Sequence, residues 1–325
     1  MIPAKLKPGD EVRVVSPAVS LGFIPEDQRL LARERLEALG LLCTFSTNAE
    51  VLDRFDSSPL EARVSDLHEA FADPGVNGIL TTLGGYNSNG LLDHLDYELI
   101  RDNPRVFCGF SDITALATGI HARTGLVTYS GPHFTTFGMR RGIEYTTEYF
   151  ERCLMREEPF EVLPADHWSD DPWYEDQENR DFVPNPGYEV IHEGEVEGKL
   201  LGGNVGTLAL LFGASFMPHL EGAVLLLEDD EEEGAVDFDR HLQSLIHQPG
   251  FSGVRCIVIG RFQRASEMDL DTLRAIIESK HELDGLPVVA NASFGHTTPQ
   301  FTFPIGGRGR LRADTGRVEL WIEEH

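Results

Sequence analysis

Lysine is nearly missing from this chain. Of 27 basic residues only Lys5, Lys7, Lys199 and Lys280 are lysine, the other 23 being arginine, against 54 Asp and Glu, so the formal net charge is −27. A surface so short of positive charge repels nucleic acid and anionic lipid, and neither is an expected partner. Cysteine is sparse too. Cys43, Cys108, Cys153 and Cys256 stand far apart with no C-x-x-C pair, which excludes a cysteine zinc ribbon and argues against a disulfide-stapled secreted scaffold. Long hydrophobic runs are also wanting. The one uncharged stretch that approaches membrane-span length, Leu200 to Pro218, is broken by Gly202, Gly203, Asn204, Gly206 and Gly213 and reads as a loop followed by a buried helix. The start, Met1-Ile2-Pro3-Ala4-Lys5, carries no apolar signal-peptide core, so a cytoplasmic location is expected.

What is present suits a soluble globular chain. Its 325 residues are 41% hydrophobic and 25% charged, enough for two domains of roughly 150 residues. Acid-rich, lysine-poor composition is expected of a protein from a high-salt cytoplasm, where concentrated cations screen self-repulsion.

The first half alternates strand and helix signals. Glu11 to Val15 is a short β-rich run, and Pro25 to Leu39 has helical apolar spacing with Gly40 as its C-cap. Leu41 to Phe45 reads as a strand, Pro59 to Phe71 as a helix, and Val76 to Leu83 and Val106 to Cys108 as apolar strands ending in glycine. Such alternation predicts a doubly wound parallel α/β domain over residues 1–155. Residues 156–195 hold five prolines, Trp168, Trp173, Tyr174, Phe182 and Tyr188 among many acids, and read as a long ordered connection. A second alternation over 196–325 places strands at Ala223–Leu227, Cys256–Ile259 and Pro287–Ala290, with a glycine-punctuated antiparallel tail from Phe301 to Ile322.

Three places carry chemistry. In Cys108-Gly109-Phe110-Ser111-Asp112-Ile113-Thr114 an apolar strand meets a glycine, a serine and then a helix-like segment. A strand-to-helix elbow lifts the Ser111 hydroxyl above the sheet and aims free N–H groups at the same point, although Ile113 stands where a G-x-S-x-G motif has its second glycine; the plain alternative is an N-cap. A serine nucleophile needs a base and an orienting acid. Of twelve histidines, His296 in a Gly- and Pro-bounded loop is the leading base and His133 its rival, while Glu228 ends the apolar strand Val224–Leu227, where α/β sites collect. The acids that follow, Asp229 to Glu233, have the chemistry to hold a hard cation but read as a solvated loop. Finally, Gly84-Gly85-Tyr86-Asn87-Ser88-Asn89 follows a strand. Paired glycines there let backbone N–H groups meet an oxyanion, while the spelling is neither a Walker loop nor G-x-G-x-x-G.

Taken in order, Gly84 to Asn89, Gly109 to Leu116, Gly202-Gly203-Asn204, Leu227-Glu228-Asp229 and Gly295-His296 with Pro299 and Pro304-Ile305-Gly306 resemble the LD-carboxypeptidase family of serine peptidases across nearly the whole chain. The Tyr-Asn-Ser-Asn turn, the run Tyr129 to Phe134 and the Trp173 loop are most similar to its MccF-type microcin C immunity branch. The resemblance implies a flavodoxin-like N-terminal domain and a smaller β-rich C-terminal domain with the active site between them. It implies Ser111 as nucleophile, His296 as base, Glu228 as orienting acid, and an oxyanion hole from the Gly85 and Asp112 N–H groups. Tyr86, Asn87, Asn204 and Trp173 are then expected to bind substrate, with no metal and no organic cofactor, in a homodimer. The expected substrate is an aminoacyl or peptidyl nucleotide joined through an amide. The alternatives are a murein tetrapeptide and, in another class, a silent binding protein that has kept the cleft.

Overall fold

The computed structural model describes residues 1–325. Six strands form the first sheet, in the spatial order Leu42–Phe45, Glu11–Val15, Val76–Thr81, Val106–Cys108, Thr128–Ser130, Phe303–Ile305. The first five are parallel to their neighbours. Numbered along the chain they run 2-1-3-4-5, the flavodoxin-like winding, whose order reverses between Glu11–Val15 and Val76–Thr81. The carboxyl ends of strands beside such a reversal face an open crevice. Gly84–Gly85 follows one of these ends and Ser111 follows the next strand. The sixth strand, Phe303–Ile305, comes from the far end of the chain and pairs antiparallel with Thr128–Ser130.

Eight strands form the second sheet. Its centre is parallel: Gly194–Asn204, Ala223–Glu228, Cys256–Gly260 and Val288–Ala292. The hairpin Arg308–Asp314/Arg317–Glu324 adds antiparallel to Gly194–Asn204, and Glu189–His192 adds antiparallel to the other edge. Every residue of Ala223–Glu228 and Cys256–Gly260 is buried, as strands covered on both faces require. The connection over 156–195 is ordered, and two of its short strands, Phe160–Glu161 and Glu189–His192, join this sheet. No helix is long and apolar enough to cross a membrane.

One reading is corrected. Leu200 to Asn204 is not a loop but the end of the eleven-residue strand Gly194–Asn204, and the helix that follows is only Val205–Ala209. The glycines there serve close packing. A Cβ on Gly202 would sit 1.9 Å from the Leu226 carbonyl oxygen, and one on Gly203 would sit 2.5 Å from Thr114 Oγ1. Gly202 lets its strand lie close against the neighbouring strand Ala223–Glu228, and Gly203 lets the second sheet press against Thr114 at the start of the helix that follows Ser111.

The ion pairs do little to offset the charge. Pairs such as Arg152–Glu148 at 2.5 Å and Arg240–Asp237 at 3.3 Å lie at the surface, where each is worth at most about 1 kcal/mol. Acids outnumber bases by two to one, so self-repulsion weakens the folded state in dilute buffer. Raising KCl from about 0.1 M to about 1 M shortens the Debye length from about 10 Å to about 3 Å. Tm is expected to climb by on the order of 10 °C over that range, and a flat Tm in calorimetry would show the acidity to be incidental.

Candidate active site

Ser111 stands on a strained elbow. The strand Val106–Cys108 ends, Phe110 is extended, and Ser111 takes φ +59° before the helical turn Ser111–Ile113 runs into helix Thr114–Thr124. A left-handed backbone on a residue with a Cβ costs of order 1 kcal/mol and collects at functional sites. The neighbouring turn is shaped to it. A Cβ on Gly84 would lie 2.9 Å from both Cβ and Oγ of Ser111 and 3.6 Å from the Asp112 nitrogen, so only glycine keeps the space over the hydroxyl open. The N–H groups of Gly85 and Asp112 donate to no protein acceptor. Asp112 itself is buried, its carboxylate accepting from the Ser88 N–H at 2.9 Å.

The second sheet delivers the partners. Glu228 is the last residue of Ala223–Glu228 and is 2% exposed. His296 follows strand Val288–Ala292 across the Ser293–Gly295 turn. Glu228 Oε2 accepts from His296 Nδ1 at 2.7 Å, and His296 Nε2 lies 2.9 Å from Ser111 Oγ. Two sheets and 185 residues of sequence separation thus meet in one hydrogen-bonded line. Phe110 packs against the imidazole with ring centroids 5.2 Å apart. Burial opposes charge on His296, but Glu228, followed by Asp230 and Asp229, outweighs it and pushes the imidazole up to about 9. Burial, followed by the charge of Glu228, likewise pushes the Asp229 carboxyl up to about 8.

His133, the rival base, is placed otherwise. It is 1% exposed, its Nδ1 lies 2.8 Å from Thr81 Oγ1 and its ring stacks on Phe110 at 4.4 Å. Burial, with His296 nearby, pushes it down to about 3. It is a neutral wall.

The cleft over these groups encloses about 300 Å³ and is lined in part by Trp173, Tyr174, Gln263 and Thr297. The two tryptophans of the connection part company here. Trp168 is held between the guanidinium groups of Arg261 and Arg264, at 4.7 and 4.6 Å, and pins the segment, whereas Trp173 faces the cleft edge-on to Tyr174. Main-chain bonds of 2.8 Å in both directions between Ser169 and Thr298 tie this segment to the His296 loop. Tyr86 is 63% exposed and lies outside the lining. Asn87 accepts from Arg63 through its side-chain oxygen at 2.9 Å. Asn204 is buried, capping the helix at the Thr207 N–H and donating to Asp229 Oδ1 at 3.0 Å, so it reaches the site through Asp229. The sequence reading missed Tyr174 and Gln263, whose approach depends on the Ser169–Thr298 pairing and has no local signature.

The cleft also carries five carboxylates, Asp170, Asp171, Asp230, Glu231 and Glu232, and neither Lys nor Arg. Together the elbow serine, the imidazole and the buried carboxylate form an arrangement suited to acyl transfer from an amide or ester.

Comparison with known proteins agrees with this fold. The LD-carboxypeptidase N-terminal domain profile matches residues 12–131 and the C-terminal domain profile residues 197–311. "Putative carboxypeptidase YocD" of Bacillus subtilis is 53% identical over the full length of both chains. The crystal structure of an MccF-like protein from Bacillus anthracis superposes with a TM-score of 0.99 at 55% identity, covering 100% of each chain. A solved MccF in complex with glutamyl sulfamoyl guanosine gives 0.89 at 27% identity, covering 99% of this chain and 98% of that one. Other solved MccF chains hold aspartyl sulfamoyl adenosine or adenosine monophosphate. With both domain profiles matched in order and more than half of its residues shared with a full-length relative, the chain belongs to the LD-carboxypeptidase family, with an MccF-like fold.

Proposed function

We propose that the protein is a serine amidase that hydrolyses aminoacyl- or peptidyl-nucleotide amides, with Ser111 as nucleophile, His296 as general base and Glu228 as its orienting acid. The observation that carries this reading is the line Ser111 Oγ–His296–Glu228, with contacts of 2.9 and 2.7 Å. Ser111 Oγ attacks the substrate carbonyl while His296 Nε2 takes its proton. Glu228 accepts the Nδ1–H bond, which fixes the tautomer and favours the imidazolium. The carbonyl oxygen gathers negative charge between the Asp112 and Gly85 N–H groups. His296 then gives the proton to the leaving nitrogen, the C–N bond breaks, and the acyl group stays on Ser111 as an ester. Water, deprotonated by the same imidazole, cleaves the ester and returns the Ser111 hydroxyl.

Three features favour a nucleotide amide over a murein tetrapeptide. Trp173 and Tyr174 offer flat rings beside the reacting groups, and solved MccF complexes hold aminoacyl sulfamoyl nucleosides. Asp170 is paired with Arg264 at 2.8 Å, and the other four cleft carboxylates, Asp171, Asp230, Glu231 and Glu232, attract the α-ammonium of an aminoacyl group and repel the terminal carboxylate that an LD-carboxypeptidase substrate presents. Base stacking on an aromatic ring is worth roughly 1–3 kcal/mol. Trp173→Ala is therefore expected to raise KM for an aminoacyl sulfamoyl adenosine by about tenfold to a hundredfold, leaving a small aminoacyl amide nearly unaffected. Steady-state kinetics on both substrates and on murein tetrapeptide decide it. Equal losses on the first two assign Trp173 to packing, and turnover of the tetrapeptide alone transfers the enzyme to the muropeptide class.

A further inference from the structure

A second cluster of ligating side chains lies behind the reacting groups. Asp229, Glu233 and His241 each bring one ligand atom into a group whose members all lie within 4.8 Å of one another. Asp229 ends the approach to the cleft, Glu233 lies just before helix Ala235–Ile246, and His241 is on that helix. Asp229 is 1% exposed and has no cationic partner. Its Oδ1 accepts from the Asn204 amide at 3.0 Å and its Oδ2 has no hydrogen-bond partner. His241 Nδ1 is also buried without a partner. It stands 3.7 Å from Glu233 Oε2, too far for a hydrogen bond and near the roughly 3.4 Å that separates two ligands on a tetrahedral ion with bonds of about 2.1 Å.

A buried carboxylate with an open oxygen is costly unless a proton or a cation neutralises it, and a buried imidazole nitrogen without a donor or acceptor is a second unmet demand. One divalent cation meets both at once. We propose that Asp229, Glu233 and His241 bind a single divalent ion of the zinc or manganese kind. Two carboxylates and an imidazole suit these ions, whereas magnesium takes oxygen donors and retains its waters. The ion would clamp the start of helix Ala235–Ile246 to the end of strand Ala223–Glu228, and so hold the loop between them at the rim of the cleft. This proposal stands independently of the reaction assigned above.

The test uses the full-length protein, stripped with chelator and dialysed into about 1 M KCl so that diffuse binding to the acidic surface is screened. Isothermal titration with ZnCl₂, MnCl₂ and MgCl₂ is expected to give one site per chain for zinc or manganese, with magnesium at least tenfold weaker. Saturating ion should raise Tm by about 5 °C. Glu233→Gln and His241→Gln should each weaken binding by tenfold or more and remove most of that rise. His296→Ala should keep both, since His296 belongs to the neighbouring line. Absence of a one-to-one site overturns the proposal, and so does zinc binding that survives Glu233→Gln and His241→Gln but is lost in His296→Ala.

Discussion

Ser111→Ala is expected to lower kcat by at least about 10⁴-fold while leaving Tm within about 1 °C of the parent. Under the proposed mechanism the loss follows from removing the one oxygen that forms the acyl bond. Backbone donors and substrate binding alone leave a residual rate of roughly 10³–10⁴ over water in enzymes of this kind. The stability expectation follows from position. Ser111 is half-buried at an elbow with φ +59°, and alanine keeps the same Cβ and the same backbone requirement. His296→Ala should cost nearly as much, and the Ser111→Ala/His296→Ala double variant no more than either alone, because members of such a line act as a unit. Single-turnover kinetics with circular dichroism settle the matter. A Ser111→Ala protein that retains full activity removes the covalent mechanism.

The second large effect is in pH. In the proposed mechanism the base must be neutral to accept the serine proton, and His296, assigned that role, is held up to about 9 by Glu228, Asp230 and Asp229 against its burial. Its surroundings include no Lys or Arg in the cleft lining, and His133 on its other side is pushed down to about 3. In chelator-treated enzyme, kcat/KM is therefore expected to rise about tenfold per pH unit from neutrality and to level off near 9. Asp230 Oδ2 lies 4.0 Å from His296 Nε2. Asp230→Asn should move the midpoint down by about one unit and make the variant faster than the parent at pH 7. Glu228→Gln should move it down as well but lose about 10³–10⁴ in kcat, since the tautomer is no longer fixed. A midpoint near 6.5 in the parent would sink this account of the electrostatics. Stability runs the other way. A histidine raised in the folded state contributes stability that is complete below its unfolded value of about 6.5 and is lost as pH rises through about 9. The enzyme is expected to work best where this contact holds it least.

Much of the architecture was legible because its signals are local. Val76–Thr81, Val106–Cys108 and Ala223–Glu228 are short apolar runs closed by glycine or acid, and the residues at or just past their ends, Gly84, Ser111 and Glu228, are those that the structure gathers at one crevice. His296 was distinguishable from His133 only by its Gly- and Pro-bounded loop. The physical separation between them, full burial and a Thr81 partner for His133, belongs to tertiary structure. Gly202 and Gly203 were misread as a loop because glycine has the same spelling whether it bends a chain or lets two backbones approach. The split between Trp168 and Trp173 depends on Arg261 and Arg264, which lie about ninety residues away. Nothing in the tryptophans' own neighbourhood announces them. Glu233 and His241 belonged to an acidic run and a helix that each looked ordinary. Their meeting with Asp229 arises from how helix Ala235–Ile246 folds back on its strand.

The strand Phe303–Ile305 has a consequence for how the molecule is made. Its partner, Thr128–Ser130, has emerged from a ribosome long before it, so during synthesis the first sheet waits with a raw edge of unpaired amides and carbonyls until residues 303–305 have been made. The serine elbow and its glycine turn are completed early, yet the imidazole at position 296 arrives only a few residues ahead of the strand that seals that edge. Under the proposed mechanism, closing the sheet and supplying the serine with its base are thus nearly the same event in time, and a chain that stops short of residue 296 holds the serine with no base to activate it.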